Sequence, residues 1–198
     1  NEEKNIAYEI VELEKVIETQ YITRSLSNRA DQLSVQAKIL SQQNVTASKL
    51  SNLSLQLYSH LLQNGYVKNN EELEFINKYF YTKLPKYDFN TFGFREKLWL
   101  YKSHLWFSFL CQDFLQSYKY ARKWVDLFKE DKKHITQHPV FYLKGINYLL
   151  EACFFVKKVS TFKDELTSFE NAVAQDVIPS NTNTELLIFQ YLYANKLH

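Results

Sequence analysis

Glycine and proline are scarce in this sequence, with three of each among 198 residues. A sheet protein with many tight turns normally uses more of both, because they supply the backbone angles that turns require. Most of those present, such as Gly65, Pro85, Gly93 and Pro179, lie between segments of periodic hydrophobicity. The scarcity argues against a turn-rich β architecture and predicts an all-α fold of long helices.

Cysteine is also rare, and methionine is missing altogether. Cys111 and Cys153 lie within apolar helical segments, which is typical of small buried side chains in a reducing compartment, so we expect a cytoplasmic protein. No apolar run reaches the roughly 18 residues of a membrane span, and we expect no membrane contact. Because the chain starts at Asn1 without Met and stops inside an amphipathic segment, we also expect it to be part of a longer protein.

The residue patterns of catalysis and metal binding are missing too. The three glycines are far apart and form no phosphate-binding loop, and no nucleophile elbow or distinctive pair of carboxylates occurs. His134 and His138 have a spacing that suits zinc on a helix, but no further ligand lies near them and Pro139 follows directly. We therefore expect no enzymatic activity, no metal site and no cofactor.

The charge is nearly balanced, with a formal net charge of +2. One stretch, QDFLQSYKYARKW (112–124), interleaves aromatic and basic residues and could stack on bases while contacting phosphates. At about 100° per residue, however, Lys119 and Lys123 fall opposite an apolar stripe. The stripe, with Ser117 and Trp124 at its edge, consists of Phe114, Tyr118, Ala121, Val125 and Phe128. This separation favours a helix with one buried side, so nucleic acid is not expected as a direct partner.

Apolar periodicity divides the chain into helical segments. Residues 1–43 are expected to form one long helix or a pair with a break near 23–28, and residues 44–198 a second region. The predicted helices of the second region are 47–63, 71–83, 94–110, 114–129, 139–157, 162–174 and 184–198. Gly65 is expected to end the first of these helices in a left-handed conformation, and Asn70 to cap the next.

An internal repeat appears when the sequence is shifted by 48 residues. DFLQSYKYARKWV (113–125) then falls on TFKDELTSFENAV (161–173), so that Phe114 meets Phe162, Tyr118 meets Leu166 and Val125 meets Val173. Two helices joined by a tight turn, with an apolar stripe on the second, resemble the tetratricopeptide repeat, whose 34-residue units stack into a right-handed superhelix. The spacing of 48 departs from that family, and other solenoids of helical hairpins stay open.

The resemblance implies antiparallel helical hairpins at about 47–83, 94–131 and 139–176, with half a unit at 184–198. In that family the first helices line a concave groove that binds extended peptides or helices. The implied partner-binding positions are Trp99, Lys102, Trp106, Phe109, Asn147, Leu150, Phe154 and Lys157. Packing between repeats is the alternative for Trp106 and Phe154. The Lys/Asn arrangement with which some members clamp a terminal carboxylate is not evident.

The sequence thus predicts a non-catalytic scaffold that binds another protein or peptide. The alternative function is a sensor or dimerisation module of a nucleic-acid-linked regulator, whose DNA-binding part would lie outside this chain. A homodimer is left open.

Overall fold

A computed structural model describes residues 4–21 and 28–196. That part of the chain is all-α, 84% helical and without strands. Its helices are α1 Lys4–Tyr21, α2 Arg29–Asn64, α3 Asn70–Lys83, α4 Phe94–Leu110, α5 Phe114–Glu130, α6 Lys133–Gln137, α7 Pro139–Phe155, α8 Val159–Ala174 and α9 Thr182–Lys196. A single 3-10 turn, Phe89–Thr91, precedes α4.

The long second helix differs from the expected segmentation. α2 runs without a break through the boundary predicted at 43/44, so the predicted helix 47–63 is only its second half. The reason is that no glycine or proline interrupts residues 29–64, and the polar run Gln42–Asn44 is compatible with a helix. Gly65 ends α2 with a positive φ of 74°, as expected. The break predicted near 23–28 falls almost wholly outside the described residues.

Two further details of the boundaries were wrong. The cap of α3 is Asn69 and not Asn70: the Asn69 side chain accepts a hydrogen bond from the backbone N–H of Glu72. The connection expected between 130 and 138 contains the short helix α6, which buries His134 and Ile135. Either of two adjacent asparagines can cap a helix, so the sequence alone does not decide between Asn69 and Asn70.

Ring contacts define how the helices run relative to one another. Phe94 packs on Phe128 and His104 on Tyr120, so α4 and α5 are antiparallel. Across the next interface, Phe114 stacks on Phe155 while Phe128 contacts Tyr142, so α5 and α7 are antiparallel as well. As a result α4 and α7, the first helices of successive hairpins, point in the same direction.

The turns of successive hairpins have the same geometry. After α4, Gln112 has φ of 57°, and Asp113 donates its backbone N–H to Ser108. After α7, Lys157 has φ of 56°, and Lys158 donates to Cys153 in the same way. The repeated turn places the helix ends at equivalent positions, which is physical evidence for a repeated hairpin independent of the side chains.

This geometry replaces the register of 48 with one of 45. α4 and α7 begin at Phe94 and Pro139, and both their ends and the starts of α5 and α8 are also 45 residues apart. The two registers differ by three residues, or almost one helical turn, so an apolar stripe matches in either of them. Hydrophobic matching therefore could not fix the register, whereas the helix starts do.

The core between α5 and α7 centres on Trp124, which is fully buried. A side chain at Gly145 would place its Cβ only 2.9 Å from the Trp124 Nε1. Glycine is thus required at that position by close packing, even though it lies inside a helix where it is unfavourable. The indole fills the space that a larger residue on α7 would otherwise occupy.

A buried ion pair joins the N-terminal helix to the rest of the fold. The Lys4 Nζ lies 3.0 Å from both carboxylate oxygens of Glu96, whose side chain is only 1% exposed. Glu96 also accepts the backbone N–H of Gly93 at the start of α4. One carboxylate therefore caps α4 and holds α1 against it.

Replacing Trp124 with alanine is expected to lower the free energy of unfolding by about 3–5 kcal/mol, because a large cavity would be left between α5 and α7. Chemical denaturation followed by circular dichroism measures the change. The control is Leu115→Ala on the same helix, where the leucine is 64% exposed, and there we expect a loss within about 0.5 kcal/mol. A Trp124→Ala loss as small as that of the control would contradict the packing described.

Replacing Lys4 with methionine is expected to destabilise the chain by about 3 kcal/mol, since it leaves the Glu96 carboxylate buried without its counter-ion. Adding Glu96→Gln should recover part of that loss, as a double-mutant cycle would show. Lys15→Met is the matched control, because the Lys15–Glu12 pair on the same helix is exposed. Equal effects of Lys4→Met and Lys15→Met would refute a special role for the buried pair.

Candidate partner-binding face on α4 and α7

A row of aromatic side chains crosses the parallel helices α2, α4 and α7. The ring of Trp106 lies 4.5 Å from that of Tyr58 on α2 and 4.8 Å, edge to face, from that of Tyr148 on α7. Tyr58 and Tyr148 are half-buried. Burial raises the pKa of the Tyr148 phenol, and the neighbouring Tyr58 adds to that effect. The row fixes the spacing of the three helices and leaves polar hydroxyl groups near the surface.

Lys102 lies between α4 and α7 among aromatic rings. Its Nζ is 4.2 Å from the ring centre of Trp99, 4.5 Å from that of Phe141 and 5.3 Å from that of Trp124. Such contacts stabilise a cation through the negative faces of the rings. Among the described residues, no ion pair or hydrogen bond satisfies this half-buried ammonium. Burial, with a smaller effect from Lys144, lowers the Lys102 pKa to about 8.

The structure divides the positions implied by the family resemblance into two groups. Trp106, Phe109 and Leu150 are 5%, 3% and 0% exposed and pack inside the protein, so they offer a partner almost no surface. Lys157 is exposed but belongs to the turn after α7. The positions that retain accessible surface on the helices are Trp99, Lys102, Asn147 and Phe154.

The corrected register explains much of this division. With a spacing of 45, the residues on α7 that correspond to the four positions on α4 are Lys144, Asn147, Glu151 and Phe154. Asn147 and Phe154 occur in both sets. Lys144 and Glu151 were missed, although Pro139, already expected at a helix start, was the signal that could have found them. Burial raises the pKa of the Glu151 carboxyl, so this face carries a half-buried acid as well as Lys102.

We call the accessible surface around Lys102 the α4–α7 face; it comprises Trp99, Lys102, Phe141, Lys144, Asn147, Tyr148 and Glu151. Trp99 meets Phe141 edge to face at 5.7 Å, which ties the two helices together at this point. Large rings with polar groups between them are typical of surfaces that bind a peptide or a protein.

An apolar patch lies at the end of α7. Phe154 is 58% exposed, and Phe155 stacks on Phe114 at 4.4 Å. A cavity of about 550 Å³ is lined there by Cys153, Phe154, Phe155, Lys157, Val159 and Phe162. Phe154 and Lys157, both implied as binding positions, therefore line one cavity, although it is separate from the rings around Lys102.

His104 on α4 lies in a different environment. Its ring stacks on Tyr120 at 4.3 Å and lines a cleft of about 420 Å³ between α3, α4 and α5. Burial, with smaller effects from Lys123 and Lys119, lowers the His104 pKa to about 4. A histidine of this pKa is neutral at pH 7 and a poor general base.

The basic residues of 112–124 are partly engaged within the fold. Lys119 and Lys123 are exposed, as predicted, and their ammonium groups lie within 6 Å of the Tyr120 ring centre. Arg122 instead donates to Glu165 on α8, and so does Lys129 further along α5. Trp124, placed at the edge of the apolar stripe by the helical angles, is at the centre of the core.

Two general searches of the described residues gave no positive result. None of their helices combines the length and the apolar character needed to cross a bilayer. No cluster of three or more His, Cys, Asp or Glu side chains in these residues could hold a metal ion. Comparison with known proteins gives no match either: neither a family model, nor a curated protein, nor a solved structure is significantly similar to this chain.

The Lys102 amino group is expected to titrate near pH 8, well below the ordinary lysine value of about 10.4, because the folded state disfavours the buried charge. The unfolded chain keeps its proton to about pH 10.4, so the cost of burying the charge is fully present below pH 8 and disappears as the pH rises from about 8 to 10.4. Stability relative to a Lys102→Met variant should therefore rise over that range. Side-chain NMR of ¹³C-labelled lysine measures the titration, with exposed Lys119 as the control; an ordinary pKa at Lys102 would refute its desolvation.

Proposed function

We propose that this chain is a non-catalytic protein-interaction scaffold and that the α4–α7 face binds a partner peptide or helix. The observation that carries the proposal is Lys102: a half-buried ammonium, held against three aromatic rings and without a carboxylate partner among the described residues. Burying a cation is unfavourable unless a partner compensates it. An acidic group on a bound peptide would supply that compensation, while Trp99 and Phe141 would pack against its apolar part.

A tetratricopeptide-like superhelix is part of this proposal. Its support is the repeated turn after α4 and α7, the common direction of these two helices and the ring contacts that link them. First helices that lie side by side form one continuous surface, which is the arrangement that helical repeat proteins use for binding. The proposed location is the cytoplasm, in keeping with two cysteines that form no disulfide.

The experiment selects binding peptides from a displayed random library and measures their affinity by isothermal titration calorimetry. Trp99→Ala and Lys102→Met are each expected to weaken binding at least tenfold, or about 1.4 kcal/mol. Tyr81→Ala and Lys119→Met are the matched controls, since these exposed residues lie on α3 and α5 and outside the face. They should leave the affinity unchanged.

Selected peptides should also be enriched in Asp, Glu or a free terminal carboxylate, and their affinity should fall as the pH rises above about 8 and Lys102 loses its charge. Phe154→Ala separates the patch at the end of α7 from the face around Lys102. Unchanged affinity in both Trp99→Ala and Lys102→Met would reject the α4–α7 face as the binding surface, whatever Phe154→Ala does.

A further inference from the structure

The first helix exposes its more apolar side. Ile6, Ile10, Leu13 and Ile17 are 53%, 49%, 61% and 49% exposed. Their spacings of four, three and four residues match the a and d positions of a heptad, so they form one stripe, here called the α1 stripe. The opposite side of α1 packs on α2 through the small cluster of Val11 with Leu33 and Ala37. A helix in water normally buries its apolar stripe, so this one lacks its covering surface.

We propose that the α1 stripe pairs with the α1 stripe of a second copy of this chain, antiparallel, around a two-fold axis near residues 11 and 12. Ile10 then lies opposite Leu13 of the partner subunit, and Ile6 opposite Ile17 of the partner subunit. The pairing is self-complementary, as an interface between identical subunits related by a two-fold axis must be.

The charges around α1 favour a second copy over an oppositely charged partner. Lys4 is bound to Glu96, Lys15 to Glu12, and Arg29 to Glu14, all within the chain. Of the acidic groups, only Glu9 flanks the stripe without an ion pair in the described residues; Glu18 lies on another side of the helix. A basic helix would therefore find little charge to recognise, whereas an apolar stripe of the same spacing finds a full match.

The remaining glutamates favour the antiparallel orientation. With Ile10 and Ile17 at a positions, Glu9 is a g residue and Glu14 an e residue. A parallel pair would place Glu9 beside Glu14 of the partner subunit on both edges, where like charges repel. In the antiparallel pair the neighbour of Glu9 is Val16 of the partner subunit, an exposed apolar residue, and Glu14 keeps Arg29.

The helix is already ordered before it pairs. A two-heptad helix is marginal alone in water, but α1 is held on α2 and tied to α4 through the Lys4–Glu96 pair. Association therefore does not have to fold the helix, and a short apolar stripe becomes sufficient for a dimer. This inference is independent of the α4–α7 face.

Sedimentation equilibrium of the 198-residue chain tests the dimer. We expect a concentration-dependent monomer–dimer equilibrium, with dimer prevailing above about 10 µM, and loss of the dimer in Leu13→Glu and in Ile10→Lys. Leu55→Glu is the matched control, because Leu55 on α2 is 65% exposed and outside the stripe. Circular dichroism confirms folding. A monomer at every concentration, or a dimer unaffected by Leu13→Glu, would overturn the proposal.

Cysteine cross-linking tests the orientation. Ile10→Cys and Leu13→Cys chains of different tag length are mixed and oxidised; the antiparallel pair predicts disulfides chiefly between the two variants. Cross-links of each variant only with itself would establish a parallel pair and overturn the orientation. Leu13→Glu should leave peptide affinity unchanged, so failure of the dimer and failure of the binding face are separate results.

Discussion

The close fit of Trp124 against Gly145 is the contact on which the central part of the structure depends. Because the indole approaches the α7 backbone directly, α5 and α7 lie closer than two ordinary side chains would allow. The same ring reaches Lys102 on α4 and Tyr148 on α7. A residue on the second helix of one hairpin thus sets the spacing of the first helices on which the proposed binding face lies.

The sequence was informative about helices and much less so about how they combine. The starts of α4, α5 and α7 follow from local signals, such as Asp113 capping α5 and Pro139 in the first turn of α7. The continuity of α2 and the identity of the α3 cap did not follow, because neighbouring residues satisfy the same local rules. The register of the repeat was missed since apolar stripes recur every three to four residues and match after a shift of one turn.

The candidate site was predictable only where burial depends on one helix. Trp99 and Lys102 were found, but the burial of Trp106 depends on Tyr58, which is 48 residues earlier in the chain and on another helix. The three rings around Lys102 likewise come from α4, α5 and α7. The exposure of the Ile6–Ile17 stripe could not be predicted either, because the pattern of α1 alone indicates a buried stripe and does not say what covers it.

The most direct measurement is the indole region of the ¹H–¹⁵N NMR spectrum during titration with a peptide selected for binding. The three tryptophans report on different depths: Trp99 lies on the proposed face, Trp106 beneath it and Trp124 in the core. The account predicts that the Trp99 resonance shifts most and that of Trp124 least. A bound peptide that leaves the Trp99 resonance unmoved at saturation would contradict it.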